Sequence, residues 1–385
     1  MKIPRVSHRG RVGFGAMLVI AAMIVSACTG PGTSTSQSGA ASAGASSGGS
    51  GLAFPAEVTI GHSFCYLNNE GMQIYNNSTI AAATELGWTQ IPSVESGSSP
   101  AQQLTDITNL IAQDVDVLAI QPCDSSAIAP GVQAAAEAGI AVIMTDIGAV
   151  AGKAVTVVAD EEQAGLLSCQ GMVESLKEEH DGVASGKVVQ IQGEITSDAA
   201  QGRTKGFEDC MAETAPDVTI ITVPAPLWDP TAGVNGLQTT LAANPDIVGV
   251  YLQSDTQFWT GTKEVFQAAG HLFKKGEEGH IVVGGVDGGT AMLQGIRDGF
   301  ADNVTSQPKT TYFITGLPFL SLLLAGESLD DIDPADYEPL VIEHNAEGGI
   351  TVKAPNILVT PDTAADTSLW GNSTCSSDVS ACPTP

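Results

Sequence analysis

Basic residues are scarce in this sequence. Only 15 lysines and arginines stand against 43 aspartates and glutamates, which gives a formal net charge of −28. A protein that binds nucleic acid needs a basic face to meet the phosphates, so this imbalance excludes nucleic acid as a partner. The 385 residues are 43% hydrophobic. This content excludes wholesale disorder, and the length suits two domains of about 100–200 residues each.

Catalytic signatures are also missing. The sequence contains no Walker loop and no HExxH motif. Residues Gly61–Cys65 begin like the nucleophile elbow of a hydrolase, but Cys65 replaces the second glycine. The histidines after the first 27 residues are scattered, which is not the spacing of a zinc site. We therefore predict no catalytic residue, no metal and no cofactor. An extracytoplasmic enzyme, the alternative, would need a nucleophile–base pair that the sequence does not show.

Only one apolar run approaches the length of a membrane span, and it lies at the N-terminus. Val12–Ala27 has 16 residues, fewer than the ~20 that cross a bilayer as a helix. A basic head, a short apolar stretch and small residues at its end are typical of a secretory signal peptide, here residues 1–27. Val25–Cys28 resembles a bacterial lipobox, which implies cleavage before Cys28 and a lipid on its sulfur. An ordinary signal with a chance cysteine is the alternative.

Residues 28–54 are predicted to be a lipidated cysteine followed by a flexible linker. The segment is dominated by Gly, Ser, Thr, Ala and Pro, which cannot bury enough apolar surface to fold. We expect the folded part to begin at Pro55, outside the cytoplasm and tethered to the bacterial cell membrane.

Short apolar runs rich in β-branched residues alternate with helical stretches in the folded part. The runs are continuously apolar, which is typical of parallel strands buried on both faces. Between them lie amphipathic stretches, such as the stripe at residues 104, 107, 110 and 111 that Ser99 and Pro100 open. The predicted strands are Val58–His62, Val115–Gln121, Ile140–Thr145, Lys187–Gln192, Val218–Val223, Ile247–Gln253 and Ile281–Val286. This alternation predicts a doubly wound α/β fold.

The strand–helix order occurs twice, before about residue 155 and again from about residue 187. Several predicted strands end in an acid: Asp124, Asp146, Asp255 and Asp287. Ligands of open α/β sheets bind outside the carboxyl ends of the strands. Two such domains facing each other would place these ends on both walls of one cleft.

Several short segments occur in the order and spacing of a known family. They are Leu67-Asn68-Asn69, Ile120-Gln121-Pro122, Val142–Asp146, Gly202-Arg203, Gly206-Phe207, Asn244-Pro245-Asp246, Gln253-Ser254-Asp255 and Val286-Asp287-Gly288. Residues 56–350 thereby resemble a periplasmic-binding-protein type I domain of the ribose-binding kind, which delivers solutes to ABC importers. The resemblance implies two doubly wound parallel-sheet (Rossmann-like) domains, joined by a three-crossover hinge, with the ligand cleft between them.

The resemblance also implies domain boundaries. Residues 55–157 with 307–338 would form the N-terminal α/β domain, and residues 158–306 with 339–360 would form the C-terminal one. The crossings would lie near residues 157, 307 and 340, and residues 361–385 would be a polar tail.

Carried over residue by residue, the resemblance implies a set of ligand-binding side chains. Two departures matter: Ile147 stands where an arginine is expected, and Gln201 aligns with another expected arginine unless Arg203 takes its role. The remaining candidates are Asn69, Asp146, Trp228, Asp229, Ser254, Asp255, Asp287 and Gln307. A site with many acids and few arginines suits a sugar or polyol, or a cation, because it would repel a carboxylate.

Six cysteines remain after Cys28, an even number in an oxidising compartment. The sequence alone leaves their pairing open, and free buried thiols are the alternative to disulfides. The fold implied by the resemblance favours three pairs: Cys65–Cys123, Cys169–Cys210 and Cys375–Cys382.

The sequence and the resemblance together predict a monomeric, lipid-anchored solute-binding protein. Its partners would be a small-molecule ligand, a sugar or polyol, and an ABC permease of the cell membrane. A ligand sensor that presents its closed form to a receptor kinase or chemoreceptor is an alternative that the sequence does not separate from this one.

Overall fold

A computed structural model describes residues 52–149 and 152–385 of the chain. The predicted signal peptide, residues 1–27, lies outside the described residues, as do the predicted lipidation site Cys28 and the linker up to residue 51. Within the described ranges, none of the helices has the length and apolar character that a membrane span requires.

The described residues form two lobes, each built around one sheet. The first lobe begins with β1 (Thr59–Phe64), α1 (Glu70–Glu85), β2 (Thr89–Gln90), β3 (Val94–Glu95), α2 (Pro100–Ile111), β4 (Val117–Gln121), α3 (Ala129–Glu137), β5 (Ala141–Thr145) and β6 (Val155–Ala159). It is completed by α9 (Tyr312–Leu324), β12 (Val341–His344) and β13 (Ile350–Ala354). Its strand order is β12-β13-β6-β5-β4-β1-β2, and β3 also pairs with β1.

The second lobe takes up the middle of the chain. It contains α4 (Glu161–Glu179), β7 (Gly186–Gln192), α5 (Asp198–Thr214), β8 (Val218–Pro224), α6 (Pro230–Ala243), β9 (Ile247–Leu252), α7 (Asp255–Ala269), β10 (Val282–Asp287), α8 (Thr290–Asp298), β11 (Val304–Ser306) and β14 (Ile357–Val359). Its strand order is β14-β11-β10-β9-β7-β8.

Both sheets are mostly parallel and doubly wound, so the predicted fold class is confirmed. Among the described strands, the antiparallel pairs are β12 with β13 and β14 with β11, at one edge of each sheet. Strands β4, β5 and β10 are buried at every residue, which explains why they are continuously apolar. Ser99 caps α2 by accepting from the Gln102 amide, with Pro100 in the first turn.

The chain crosses between the lobes three times, but not everywhere at the predicted positions. The first crossing follows Ala159 rather than residue 157, because β6 extends to that residue in the first sheet. The second lies after Ser306, between β11 and α9, beside the predicted position at Gln307. At the third crossing, the Asn356 side chain donates to the Asp160 carbonyl oxygen (2.7 Å), so the first and third crossings are hydrogen-bonded to each other.

The prediction that residues 339–360 belong to the C-terminal domain is wrong for most of this segment. Strand β13 pairs in parallel with β6, from Ile350 opposite Val155 to Ala354 opposite Ala159. Without β13 the edge of β6 would be unpaired. The third crossing therefore lies between Ala354 and Ile357, and in this segment only β14 joins the second sheet.

All three expected disulfides are present. Cys65 follows β1 and Cys123 follows the neighbouring β4, and their Cα atoms are 4.7 Å apart. Cys169 on α4 joins Cys210 on α5, and the third disulfide joins Cys375 and Cys382.

Helices α4 and α5 approach each other closely at two glycines. A Cβ atom on Gly165 would clash with the carbonyl oxygen of Arg203, and one on Gly206 would clash with that of Glu162. The absence of side chains at these positions lets the helix backbones touch, which brings Arg203 of α5 beside Glu161 at the start of α4.

The expectation that residues 361–385 form a polar tail is wrong, because the segment packs against both lobes. Trp370 is only 2% exposed, and with Cys375 and Cys382 it packs on Ile74 and Ala81 of α1 in the first lobe. On the second lobe, Arg297 of α8 donates to the Ala364 carbonyl oxygen and the Asn372 side chain, both over 2.7 Å. We refer to residues 361–385 as the C-terminal strap.

Candidate ligand-binding site

Asp287 ends β10 and is the centre of a buried polar cluster between the lobes. Its Oδ2 atom accepts from the hydroxyls of Ser254 (2.6 Å) and Thr256 (2.7 Å). Its Oδ1 atom lies 3.5 Å from Lys309 Nζ and 3.7 Å from an Arg203 nitrogen. Burial alone would raise the pKa of Asp287, but these two cations and the two hydroxyls hold it below its ordinary value. Asp287 is therefore a carboxylate at neutral pH.

Arg203 supplies one of the two cations from α5. Its Nε atom donates to Glu161 Oε2 over 2.7 Å and its Nη2 atom to Glu161 Oε1 over 3.2 Å. Its Nη1 atom donates to the Gln253 carbonyl oxygen. Burial raises the pKa of Glu161, and the charge of Arg203 opposes that rise. The neighbouring candidate Gln201 instead donates to the Ile195 carbonyl oxygen at an exposed site, so Arg203 is the one that enters the cluster.

Lys309 supplies the second cation from the segment that leads into α9. Its ammonium donates to the Tyr75 hydroxyl over 3.0 Å, and that hydroxyl donates to Asp146 Oδ1 over 2.8 Å. Gln121 donates to the other Asp146 oxygen over 3.3 Å. Asp146, at the end of β5, is thus connected through Tyr75 and Lys309 to Asp287 of the other sheet.

Gln307 lies at the second crossing, between β11 and α9. Its Nε2 atom donates to both carboxylate oxygens of Glu161, over 3.1 and 3.3 Å.

Asn69 lies at the opposite wall, where its Oδ1 atom caps α1 by accepting from the Met72 amide. Tyr66, in the same loop, faces both acids: burial, with the charges of Asp146 and Asp287, raises its pKa to about 12.

Trp228 is the aromatic candidate of the second lobe. It is half-buried and takes a left-handed backbone conformation, with a φ of 58°. The Arg203 guanidinium lies 5.5 Å from its ring centroid, within the range of a cation–π contact. The ring also occupies the space beside Gly193, where a Cβ atom would clash with it.

Two more of the predicted site residues bind backbone amides. Asp229 is exposed and caps α6 by accepting from the Thr231 amide over 2.8 Å. Asp255 is buried but accepts from the amides of Gly288 (2.6 Å) and Gly289 (3.0 Å), at the start of α8. Burial and the charge of Asp287 raise the pKa of Asp255 well above its ordinary value.

Several residues of the cluster were not predicted from the sequence. They are Tyr66, Tyr75, Glu161, Thr256, Lys309, Tyr312 and Trp370. Lys309 stands two residues after the candidate Gln307, and this proximity in sequence could have indicated that Lys309 belongs to the site. Trp370 carries no local signal, because it reaches the cluster from the C-terminal strap, where its indole Nε1 atom donates to the Asp287 carbonyl oxygen.

The cluster contains more acids than bases. In the described part of the chain, the acids named above are Asp146, Glu161, Asp255 and Asp287, and the bases are Arg203 and Lys309. Among the described residues, no group of three or more His, Cys, Asp and Glu side chains could hold a metal ion. The arrangement offers many acceptors and a few directed donors, which suits a ligand that carries several hydroxyl groups.

Comparisons with known proteins agree with this architecture. Residues 60–327 match the family described as a periplasmic binding protein domain. The chain is 27% identical over 286 residues to the ribose import binding protein of Salmonella typhimurium, across 74% of this chain and 91% of that protein.

Solved structures share the fold. An ABC transporter solute binding protein from Mycobacterium smegmatis with bound glycerol has a TM-score of 0.66 at 24% identity, covering 80% of this chain and 96% of that one. A periplasmic solute binding protein of an ABC transporter from Actinobacillus succinogenes, with bound D-allose, has a TM-score of 0.67 at 21% identity, covering 80% and 99%. With two facing parallel sheets, three crossings and a family match over most of its folded part, this chain belongs to the type I periplasmic binding proteins of the ribose-binding-like group.

Proposed function

We propose that this chain is the solute-binding protein of an ABC importer. In this proposal it is monomeric, is anchored to the cell membrane through a lipid on Cys28, and encloses one neutral sugar or polyol between its lobes. It would pass that molecule unchanged to a membrane permease. The observation that carries the proposal is the connection between Asp146 and Asp287, which end strands of different sheets and are joined through Tyr75 and Lys309.

The charges of the cluster support a neutral ligand. An anion entering between the lobes would meet Asp146, Glu161 and Asp287 in a buried setting, where repulsion between like charges is weakly screened. A hydroxyl group can donate to these carboxylates and accept from Arg203 or Lys309 at the same time. A molecule with several hydroxyl groups can therefore hydrogen-bond both to the carboxylate acceptors and to the cationic donors of the cluster.

The aromatic side chains support a sugar or polyol. Trp228 presents a half-buried ring beside Arg203, and Tyr66 lies on the other wall near Asp146 and Asp287. A sugar has C–H-rich faces as well as hydroxyls, and such faces lose unfavourable contact with water when they lie on an aromatic ring. The relatives are consistent with this class: one is named for ribose import, and the solved structures hold glycerol and D-allose.

Titration calorimetry tests the proposal directly. D-ribose, D-allose, myo-inositol and glycerol are titrated into the protein, with D-gluconate as the anionic control. We expect saturable binding, one molecule per chain, for at least one neutral compound and none for gluconate. The proposal is wrong if no neutral compound binds or if gluconate binds best.

A matched pair of variants locates the site. Asp287→Asn should weaken binding about tenfold to a hundredfold, since it removes the charge from hydrogen bonds to ligand hydroxyls. Asp229→Asn, at the exposed cap of α6, should bind like the unmodified protein. If both variants bind equally well, the ligand lies elsewhere.

A further inference from the structure

Two buried polar atoms in the cluster have no hydrogen-bond partner among the described residues. They are the Gln307 side-chain oxygen Oε1 and the hydroxyl of Tyr312. Gln307 is 2% exposed and Tyr312 is 1% exposed. Folded proteins rarely leave such groups without a partner, because desolvation then goes uncompensated.

The Tyr312 ring is firmly held, so its hydroxyl has a defined position. Its ring stacks on that of Tyr75 with a centroid separation of 5.4 Å and an interplanar angle of 13°. Burial, and then the charges of Glu161 and Asp146, raise the pKa of Tyr312 well above its ordinary value. The hydroxyl is therefore protonated and lies close to acids at the first crossing and at the end of β5.

Lys309 lies three residues before Tyr312 and has donor capacity to spare. Its ammonium carries three N–H groups, and its contacts in the described part of the chain are the Tyr75 hydroxyl at 3.0 Å and Asp287 Oδ1 at 3.5 Å. The rings of Tyr75 and Trp370 flank it, at 5.1 and 5.7 Å from their centroids. This setting fixes the ammonium group and keeps bulk water from it.

We propose that Tyr312 and Lys309 are specificity-determining residues which, with Gln307, bind two adjacent hydroxyl groups of the ligand. This inference rests on the proposed function and deepens it. Gln307 Oε1 can only accept, the Lys309 ammonium can only donate, and the Tyr312 hydroxyl can do either. A ligand that satisfies all three must both donate and accept, which a pair of neighbouring hydroxyls can do. A carboxylate would satisfy Lys309 but would leave Gln307 unpaired and would face Glu161.

Tyr312→Phe is the decisive variant, because it removes one hydroxyl and keeps the stacked ring. Since this hydroxyl has no hydrogen-bond partner in residues 52–149 and 152–385, the free energy of unfolding measured without sugar should not fall. Affinity for the neutral sugar or polyol that binds best in the panel above should fall at least about tenfold. Tyr337→Phe is the matched control, because its ring packs on Phe319 away from the cluster (centroids 4.8 Å apart), and its affinity should not change.

Lys309→Gln provides a second measurement. It keeps a hydrogen-bond donor but removes the ammonium, and it should also weaken binding of the same compound. Monodeoxy analogues of that compound sharpen the test. The analogue that lacks the hydroxyl facing Tyr312 should bind the unmodified protein more weakly than the parent compound does. Tyr312→Phe should bind this analogue and the parent compound about equally well, because the hydrogen bond to residue 312 is then absent from both complexes.

The outcomes separate this inference from the proposed function. If the unmodified protein binds a neutral compound and Tyr312→Phe binds it within about twofold, the inference is wrong and the function stands. If Tyr312→Phe lowers the free energy of unfolding, measured without sugar, by as much as it weakens the free energy of binding, the hydroxyl has a structural role. In that case the inference is again wrong. If the unmodified protein binds no neutral compound of the panel, both are overturned.

Discussion

Trp370 donates its indole N–H to the main-chain carbonyl oxygen of Asp287 over 2.7 Å, although 83 residues separate the two in sequence. The C-terminal strap thereby contacts the residue at the centre of the candidate site. Thr290 of α8 also donates to the Gly371 carbonyl oxygen over 2.7 Å, while Asn77 of α1 donates to the Cys375 carbonyl oxygen over 2.7 Å. The strap is therefore hydrogen-bonded to both lobes.

Removing the Trp370 side chain should destabilise the protein strongly. Trp370→Ala should lower the free energy of unfolding by about 3–5 kcal/mol, the usual cost of emptying a buried aromatic site. Trp370→Phe keeps one aromatic ring but loses the N–H donor and part of the packing, so it should cost less than Trp370→Ala but more than the ~1 kcal/mol of a hydrogen bond alone. Urea unfolding at pH 7 measures both. A cost below about 1 kcal/mol for Trp370→Ala would mean that the strap is not packed as described.

The Arg203–Glu161 pair should behave as a single buried unit. Arg203→Met leaves Glu161 buried without its cation, which should lower the free energy of unfolding by about 3–5 kcal/mol. Adding Glu161→Gln removes the unpaired charge and should recover a large part of that loss. Chemical denaturation of the two single variants and the double variant completes the cycle. Additive losses would contradict a direct interaction between the two side chains.

His280 and Asp302 should make stability depend on pH. The His280 ring nitrogen Nε2 lies 3.1 Å from Asp302 Oδ2, and both side chains are almost fully buried. Burial lowers the pKa of His280, but the hydrogen bond and charge of Asp302 raise it above the ordinary 6.5. Because the folded-state pKa is raised, the stabilisation is complete below about pH 6.5 and is lost as pH rises through the higher folded-state value.

Urea unfolding between pH 5.5 and pH 9 checks the sign of this effect. The difference in unfolding free energy between the unmodified protein and His280→Gln should be largest at the acidic end of the range and should shrink towards pH 9. A difference that grows with pH would show that His280 is neutral in the folded protein.

Lipidation at Cys28 stays a prediction, because the residue lies outside the described part of the chain. Cys28→Ala should leave the protein without its anchor, so that it is released from the membrane fraction or accumulates as precursor. The anchor should carry at least two acyl chains, since one chain binds membranes only marginally. Mass spectrometry of the N-terminal peptide is the measurement, and a mature N-terminus other than an acylated Cys28 would disprove the assignment.

The sequence predicts the longer strands well and the shortest strands poorly. β4 and β5 are buried at every residue, so their apolar runs stand out locally. β2, β3 and β11 have only two or three residues each, too few for a pattern. The pairing of β13 with β6 joins segments almost 200 residues apart. The local sequence of β13 does not indicate which strand it pairs with.

The same reasoning applies to the site. Asp146 and Asp287 follow apolar runs and mark the ends of buried strands, so they could be recognised from the sequence. Asp255 follows the same rule but accepts from backbone amides at the start of α8. Asp229, a candidate only through the resemblance, also accepts from a backbone amide, because α6 begins beside it. Tyr75 and Trp370 come together only in three dimensions, and no spacing in the sequence predicts their meeting at Lys309.

The position of the three crossings has a consequence for the order in which a solute is engaged. In any rotation of one lobe against the other, points near the axis move least, and the axis must run close to the segments that join the lobes. Glu161 and Gln307 lie next to the first and second crossings and bind each other, while Asn356 joins the third crossing to the first. Their arrangement should therefore be nearly the same in an open and a closed molecule. A solute would therefore first contact the residues at this inner end of the cleft, which stay in place. The side chains farther from the axis would contact the solute only as the lobes come together.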